Sequence, residues 1–363
     1  MKKWLIGCAL GLALVATLAG CKPKDATPKS SASSSQAAAL LNTPYEDTRF
    51  LMGTVVTLRI YDQGKSKVMT KAFDRIEALA DAITVNQKGS QVDAINAAAG
   101  EKAVKVDPDV FNLVKYAKNW SEKSNGSFDL AIGPITSLWH IGFNDARKPA
   151  QSEIDAVLPL VHYQDVELNA AKRTVYLKKK GMKIDLGGIA KGYITDLATA
   201  TMKANGVTTA ILDLGGNIYV LGHSPKAPGK DWTIGIQDPK KTRGTSIGTL
   251  PASNQTIVTS GIYERYLKVD GKIYMHLMNP KTGYPFDNNL MGVSIITKKS
   301  VNGDALSTAT FDKGLRGGLA FIEKQKDAEA IFITKDKKVY ISSGLKNKFK
   351  LLKNSGYTMA TLK

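Results

Sequence analysis

Two oxygen-bearing side chains in the C-terminal third of the chain have a spacing that suits a hard metal ion. Asp304 and Thr308 are four residues apart in a segment of helical pattern, so their oxygens are expected on one helix face. Mg²⁺ prefers such oxygen donors, with carbonyl and phosphate oxygens completing its shell. The alternative is a helix N-cap at Asp304 beside a neutral surface threonine, because a bare D-x-x-x-T spacing is common.

A glycine-rich segment marks the junction between a predicted strand and a predicted helix, Ile189–Ala204. Its sequence is Asp185-Leu186-Gly187-Gly188-Ile189-Ala190-Lys191-Gly192. Free amides at a helix start favour an anion, and Lys191 adds a positive charge. The alternative is that the glycine pair only permits tight packing. Downstream, His276 ends a predicted strand and is either a base for work near neutral pH or a hydrogen-bonded structural histidine.

The elements that must position these groups alternate irregularly between strand and helix. The pattern predicts one strand over Phe50–Tyr61, kinked at its glycine, and a hairpin over Val175–Asp185. Separate helices are predicted over Asp304–Lys313 and Leu319–Gln325. Because strict β-α-β alternation is missing, the predicted fold class is α+β, in a single large mixed domain.

The N-terminus is typical of an exported lipoprotein. Two lysines precede a short apolar run, and the run ends in Leu18-Ala19-Gly20-Cys21, which resembles a bacterial lipobox. We therefore expect a signal peptide at residues 1–20, a lipidated Cys21 heading a flexible tether over 21–44, and the folded domain at 45–363. The expected location is outside the cytoplasm, lipid-anchored to the cell membrane; an uncleaved anchor is the alternative.

Composition excludes several classes of protein. The chain has 363 residues, 43% of them hydrophobic, so a sizeable core is expected. Its only cysteines are Cys8 and Cys21, which excludes disulfide frameworks, zinc–thiolate sites and cysteine nucleophiles from the domain. The formal charge is +18, but the lysines are scattered and not interleaved with aromatic residues, so no nucleic-acid partner is predicted. The charge suits an anionic membrane surface or wall polymers instead.

Six motifs in one order give the chain a family resemblance. It resembles the bacterial FAD:protein FMN transferases, the ApbE-type lipoproteins, whose fold implies a T-fold-like domain. The motifs are Met52-Gly53-Thr54, the segment 126–139 beginning Gly126-Ser127-Phe128-Asp129, Asp185–Asp196, Thr259–Arg265, His276–Pro285 and Gly303–Ala309.

This resemblance implies chemistry on a flavin dinucleotide. Such enzymes bind FAD and Mg²⁺ and move FMN through its phosphate onto a Ser or Thr hydroxyl of an exported target protein, releasing AMP. By motif, Asp304, Thr308 and the Gly188 carbonyl would hold Mg²⁺, and His276 would take the hydroxyl proton. The implied FAD contacts are Met52, Ser127, Phe128, Asp129, Asp185 and Lys191. Two alternatives stay open: a Mg²⁺-dependent FAD diphosphatase that gives FMN and AMP, and a non-catalytic flavin-binding lipoprotein.

Overall fold

The computed structural model describes residues 39–85, 88–227 and 229–362. The predicted signal peptide, Cys21 and most of the predicted tether lie outside these ranges. A strand that begins at Leu40 takes up the end of the predicted tether, so residues 40–44 belong to the folded part. Within the described ranges, no helix is both long enough and apolar enough to cross a membrane.

The described residues form seven α-helices. They are α1 (Ser66–Ile83), α2 (Gln91–Ala97), α3 (Pro108–Lys123), α4 (Gly133–Trp139), α5 (Gln151–Val157), α6 (Gly187–Ala204) and α7 (Ser300–Ile322). Short 3₁₀ turns occur at Leu158–Leu160, Tyr163–Asp165 and Ser343–Leu345.

Seventeen strands accompany the helices in the same part of the chain. They are β1 (Leu40–Leu51), β2 (Thr54–Asp62), β3 (Val104–Lys105), β4 (Val166–Asn169), β5 (Thr174–Leu177), β6 (Ala210–Leu214), β7 (Asn217–Leu221), β8 (Trp232–Gln237), β9 (Ser246–Ala252), β10 (Gln255–Gly261), β11 (Tyr266–Val269), β12 (Lys272–Met275), β13 (Leu290–Thr297), β14 (Ala328–Thr334), β15 (Lys338–Ile341), β16 (Lys350–Leu351) and β17 (Thr358–Met359).

A nine-stranded mixed sheet forms the centre of the fold, in the order β1-β2-β6-β7-β10-β13-β14-β15-β17. Strand β14 shows how its two faces separate, because side chains alternate along a strand. Ala330 and Phe332 join the core that contains the inner faces of α1, α3, α6 and α7. Ile331 and Ile333 join a second core beneath the small sheet β16-β9-β8. The α+β prediction is confirmed, and the sheet is buried on both sides.

Close packing of α6 against α7 depends on glycine. A Cβ at Gly192 would lie 2.3 Å from the Ser300 carbonyl oxygen. A Cβ at Gly303 would lie 2.5 Å from Val258 Cγ2, so α7 also packs closely on β10. The two helices can therefore bring their backbones and short polar side chains within hydrogen-bond reach of each other.

Two of three local predictions need correction. The single strand over Phe50–Tyr61 is a hairpin of β1 and β2, turning at Met52 (φ 53°) and Gly53 (φ 67°). Positive φ at both central residues is the geometry of a tight hairpin, which the glycine signal alone did not reveal. The hairpin predicted over Val175–Asp185 is also wrong, because β5 pairs instead with β3 and β4. The prediction of two separate helices over 304–313 and 319–325 is confirmed, because the non-helical Gly314 (φ 64°, ψ −173°) divides α7 into two helices, the first beginning at Ser300 and the second ending at Ile322.

The α6–α7 contact yields a stability prediction. Gly192→Ala should lower the free energy of unfolding by about 1–3 kcal/mol, because the new methyl group overlaps the Ser300 carbonyl. Gly317→Ala is the matched control in α7, where the nearest contact is the Lys313 side chain at 3.3 Å. That control should leave stability unchanged or raise it by up to about 1 kcal/mol through helix propensity. Urea denaturation of both variants measures the difference, and equal stability would contradict the packing argument.

Candidate active site

Asp304 lies at the contact between α6 and α7, where the residue is 5% exposed. Oδ2 accepts the Gly192 backbone N–H at 2.6 Å, and Oδ1 accepts the Asn217 side-chain amide at 3.1 Å. Burial raises the pKa of Asp304 to about 6, while the positive charge of Lys191 opposes that rise. The carboxylate is therefore held in place by neutral donors and is buried without a direct ion pair, a costly state that a cation would relieve.

The N-cap reading of Asp304 is wrong, because this residue lies inside α7. Asp196 of α6 caps the start of α7 instead: its carboxylate accepts the Ser300 N–H at 2.8 Å and the Val301 N–H at 3.0 Å. These are the first amides of α7, which lack partners within the helix. Asp196 thus fixes the start of the helix on which Asp304 stands.

The other two predicted metal donors, Gly188 and Thr308, lie close to each other. A Cβ built at Gly188 would lie 3.6 Å from Thr308 Oγ1 and 3.3 Å from the Phe128 ring. Gly188 therefore closes a cradle that a larger residue would fill. One carboxylate, one hydroxyl and one backbone carbonyl fit Mg²⁺, which usually takes few protein ligands and leaves room for phosphate oxygens. The described residues contain no cluster of three or more His, Cys, Asp or Glu that suits a metal.

The start of α6 differs from the expected open anion site. Asp185 Oδ1 accepts the Gly187 N–H at 2.8 Å, and its Oδ2 accepts the Thr136 hydroxyl at 2.7 Å. The Ile189 and Ala190 amides donate to the Leu186 carbonyl. These three amides are thus occupied within the chain, and Lys191 is left as the positive charge on this face of α6.

His276 follows β12 and is fixed by a backbone carbonyl. Its Nδ1 lies 3.2 Å from the Arg265 carbonyl oxygen, which also accepts the His276 backbone N–H. A carbonyl can only accept, so Nδ1 carries the proton and Nε2 carries the lone pair. Burial, together with the positive charges of Lys191 and Arg265, lowers the pKa of His276 to about 4, although the hydrogen bond to the Arg265 carbonyl acts in the opposite direction. The imidazole is therefore neutral near pH 7, with Nε2 ready to take a proton.

Arg265 joins His276 to the β1–β2 turn. Its Nη2 donates to the Gly53 carbonyl at 3.1 Å. A Cβ at Gly142 would lie 2.9 Å from Arg265 Cδ, so a second loop packs against the same side chain. Met52, in the turn, is half-buried against the main core. The first and fourth motifs, far apart in the sequence, meet through this arginine.

Ser127 and Asp129 have their polar atoms engaged by the protein itself. Ser127 Oγ accepts from Lys313 Nζ at 2.9 Å. Asp129 accepts the Ala131 N–H at 2.8 Å and the Tyr163 N–H at 3.2 Å, and burial raises its pKa to about 6. In this structure both side chains hold their loops together, and the Phe128 ring between them reaches Gly188.

Asn217 is the residue that sequence reasoning missed. It stands at the start of β7, after the Gly215–Gly216 turn, and besides donating to Asp304 it accepts from the Ser300 hydroxyl. A signal was present, since the tetrapeptide Asp-Leu-Gly-Gly occurs twice, at 185–188 and at 213–216. The first copy leads into α6, and the second leads to the amide that orients Asp304.

The architecture is that of a known class of solved structures. The crystal structure of the apbe protein from Thermotoga maritima aligns with a TM-score of 0.77 at 28% identity, covering 84% of this chain and 98% of that one. The flavin transferase ApbE from Vibrio cholerae shares the fold with a TM-score of 0.73 at 23% identity, covering 84% and 98%.

The chain belongs to the ApbE family, whose model matches residues 52–332. A relative from Klebsiella pneumoniae is 38% identical over 87% of this chain and 97% of its own length. A relative from Treponema pallidum is 32% identical over 85% of this chain and 89% of its own. Both relatives are described as FAD:protein FMN transferase.

The environment of His276 yields a titration prediction. In the protein without substrate, its imidazole should gain a proton only near pH 4, because burial disfavours the imidazolium ion. Nitrogen-15 NMR of histidine-labelled protein, assigned with the His276→Gln variant, should show the Nδ1–H tautomer at neutral pH. A midpoint at or above the ordinary 6.5, or the Nε2–H tautomer, would contradict the proposed geometry.

Proposed function

We propose that this protein transfers FMN from FAD to a Ser or Thr hydroxyl of another protein and releases AMP. The observation that carries the proposal is the orientation of His276, whose Nδ1 faces the Arg265 carbonyl at 3.2 Å so that Nε2 is free, with Lys191 as the positive charge that acts on both His276 and the buried Asp304. A base for an alcohol and a positive charge for a diphosphate are thus gathered at one site. The names of the two relatives agree with this activity.

The reaction balances with these groups. The acceptor oxygen forms a bond to the FMN phosphorus, the P–O bond to the AMP phosphate breaks, and the hydroxyl proton passes to His276 Nε2. Lys191 is suited to stabilise the negative charge that builds up on the diphosphate oxygens. Asp304 is held in a fixed orientation by Gly192 and Asn217, so the site needs little rearrangement when substrate binds.

We further propose that Asp304, Thr308 and the Gly188 carbonyl hold Mg²⁺. When bound, that ion would neutralise charge on the diphosphate and help AMP to leave. The support is the buried carboxylate without a direct ion pair and the cradle between Gly188, Thr308 and Phe128. Met52, Phe128 and Lys191 are proposed FAD contacts, of which the Phe128 ring lies 3.3 Å from a Cβ built at Gly188. Ser127, Asp129 and Asp185 are proposed to shape the surrounding loops.

The location belongs to the same proposal. We propose that the chain is cut before Cys21, lipidated there and held outside the cytoplasm on the cell membrane. The support is the lipobox-like sequence and the polar stretch that follows it. The acceptor protein must then be exported to meet the enzyme.

Mass spectrometry of an exported flavoprotein incubated with this protein, FAD and Mg²⁺ tests the function. Asp304→Ala should reduce covalent FMN addition by at least about 100-fold, since a bound metal contributes several kcal/mol to charge stabilisation. The control is Asp327→Ala, which removes an exposed carboxylate whose one ion-pair partner among the described residues is Lys298, 3.9 Å away. This variant should transfer FMN as fast as the unaltered protein.

The same reaction separates the alternatives. FMN and AMP formed at the same rate without an acceptor would identify a diphosphatase, and intact FAD under all conditions would identify a binding protein. Activity of Asp304→Ala that survives chelation would overturn the metal assignment.

His276→Ala tests the base. Transfer should slow by about 10²–10⁴-fold, the usual contribution of a positioned base. The KM for FAD should stay unchanged, because Nε2 acts on the acceptor hydroxyl. His223→Ala is the control, since His223 is paired with Asp231 at a different surface. An unchanged rate in His276→Ala would remove this residue from the mechanism.

A further inference from the structure

The C-terminal segment carries positive charge without acidic partners. Four lysines occur within residues 346–353, and the only acid between residues 335 and 362 is Asp336, which pairs with Lys338 at 3.1 Å. Among the described residues, no carboxylate lies within 4.0 Å of the amino groups of Lys337, Lys346, Lys348, Lys350 and Lys353. We call these five lysines the basic face.

Buried side chains hold the basic face in a fixed orientation. Leu345, Phe349 and Tyr357 point inwards and join the second core. Lys346, Lys348 and Lys350, which flank Phe349, are exposed. Residues 350–351 pair with β9 and residues 358–359 pair with β15, so the segment is tied down at two places. The charge therefore sits on a rigid surface and not on a loose tail.

Acids near the start of this segment are already engaged. The Glu323 carboxylate accepts from the Ser343 amide and hydroxyl. Glu329 accepts from the Ser342 hydroxyl and the Gly344 amide. Both carboxylates are therefore bound by the loop backbone and its serines, and neither forms an ion pair with any of the five lysines.

Two exposed apolar side chains lie among the lysines. Leu352 is 43% exposed and Met359 is 45% exposed. A surface of lysines with interspersed apolar side chains suits a membrane interface. The lysines can contact phosphate headgroups, and the apolar side chains can enter the hydrocarbon just below them. A purely aqueous polyanion would use the lysines but not these two residues.

The basic face and the candidate active site lie on opposite sides of the central sheet. Leu345, Phe349 and Tyr357 pack in the second core with Ile331 and Ile333. The α7 residues next to Asp304, such as Ala305, pack in the main core with Phe332. A surface bound at the basic face would leave the helix side, with Asp304 and His276, open to another protein.

We propose that the basic face binds an anionic phospholipid surface and orients the domain with its active site away from that surface. Each lysine near such a surface adds attraction that falls off within a Debye length. The orientation of the active site, unlike the binding itself, rests on the function proposed above.

Sedimentation of the full chain with vesicles tests the proposal. Vesicles of phosphatidylcholine with phosphatidylglycerol should bind it more strongly than vesicles of phosphatidylcholine alone, to which only the proposed N-terminal lipid anchor contributes. The quadruple variant Lys346→Gln, Lys348→Gln, Lys350→Gln and Lys353→Gln should lose roughly 100-fold or more of its partition coefficient at low salt. Raising NaCl to about 1 M, where the Debye length is about 3 Å, should abolish the difference.

Matched variants separate charge from structure. Glutamine at four exposed lysines on other elements, Lys67, Lys102, Lys172 and Lys226, lowers the net charge equally and should leave binding within about twofold. Arginine at the four positions changed in the quadruple variant should preserve binding, since the surface responds to charge. All variants carry the same N-terminal segment, so it cancels from each comparison.

Three outcomes would overturn the proposal. The first is equal loss in the two glutamine variants, which would indicate net charge alone. The second is binding to soluble polyphosphate but not to anionic vesicles, which would indicate a phosphate polymer as the partner. The third is unchanged vesicle binding in the quadruple variant. Thermal melting of each variant confirms that the fold is retained, and FAD consumption in solution should be the same for all of them.

Discussion

The hydrogen bond from the Gly192 amide to the Asp304 carboxylate is the contact on which the site depends. It forms only because α6 and α7 approach so closely that a methyl group at residue 192 would overlap a carbonyl of the other helix. This contact fixes the carboxylate on α7 one helical turn before Thr308, within the electrostatic influence of Lys191. Without such close packing, the acid would be solvated and its position relative to a diphosphate would not be defined.

A second layer of polar groups supports that contact. Asp196 binds the first amides of α7, and Asn217 binds both Asp304 and the Ser300 hydroxyl. None of these groups has to touch a substrate. Because buried polar groups are costly when unpaired, each partner restricts the others to one arrangement. Gly192 and Asn217, the two residues that hold Asp304, are as buried as the residues of the hydrophobic core.

Much of the architecture was open to prediction from local pattern. The helix predicted over Ile189–Ala204 occurs as α6, two residues longer at its start. The Phe50–Tyr61 segment was misread because two-residue turns with positive φ at a non-glycine residue, Met52, leave little trace in composition. The hairpin expected over Val175–Asp185 failed because strand pairing depends on partners distant in sequence, here β3 and β4.

Sequence by itself determined the family, the inventory of reactive groups and the absence of a thiol from the domain, because these follow from residue types and their order. It could not decide that Asp304 is buried and held by Gly192 and Asn217, since those partners are more than eighty residues away. Nor could it decide which nitrogen of His276 is free, which depends on the Arg265 carbonyl. Tertiary structure alone settles such questions, because burial and hydrogen-bond geometry arise only when distant segments pack together.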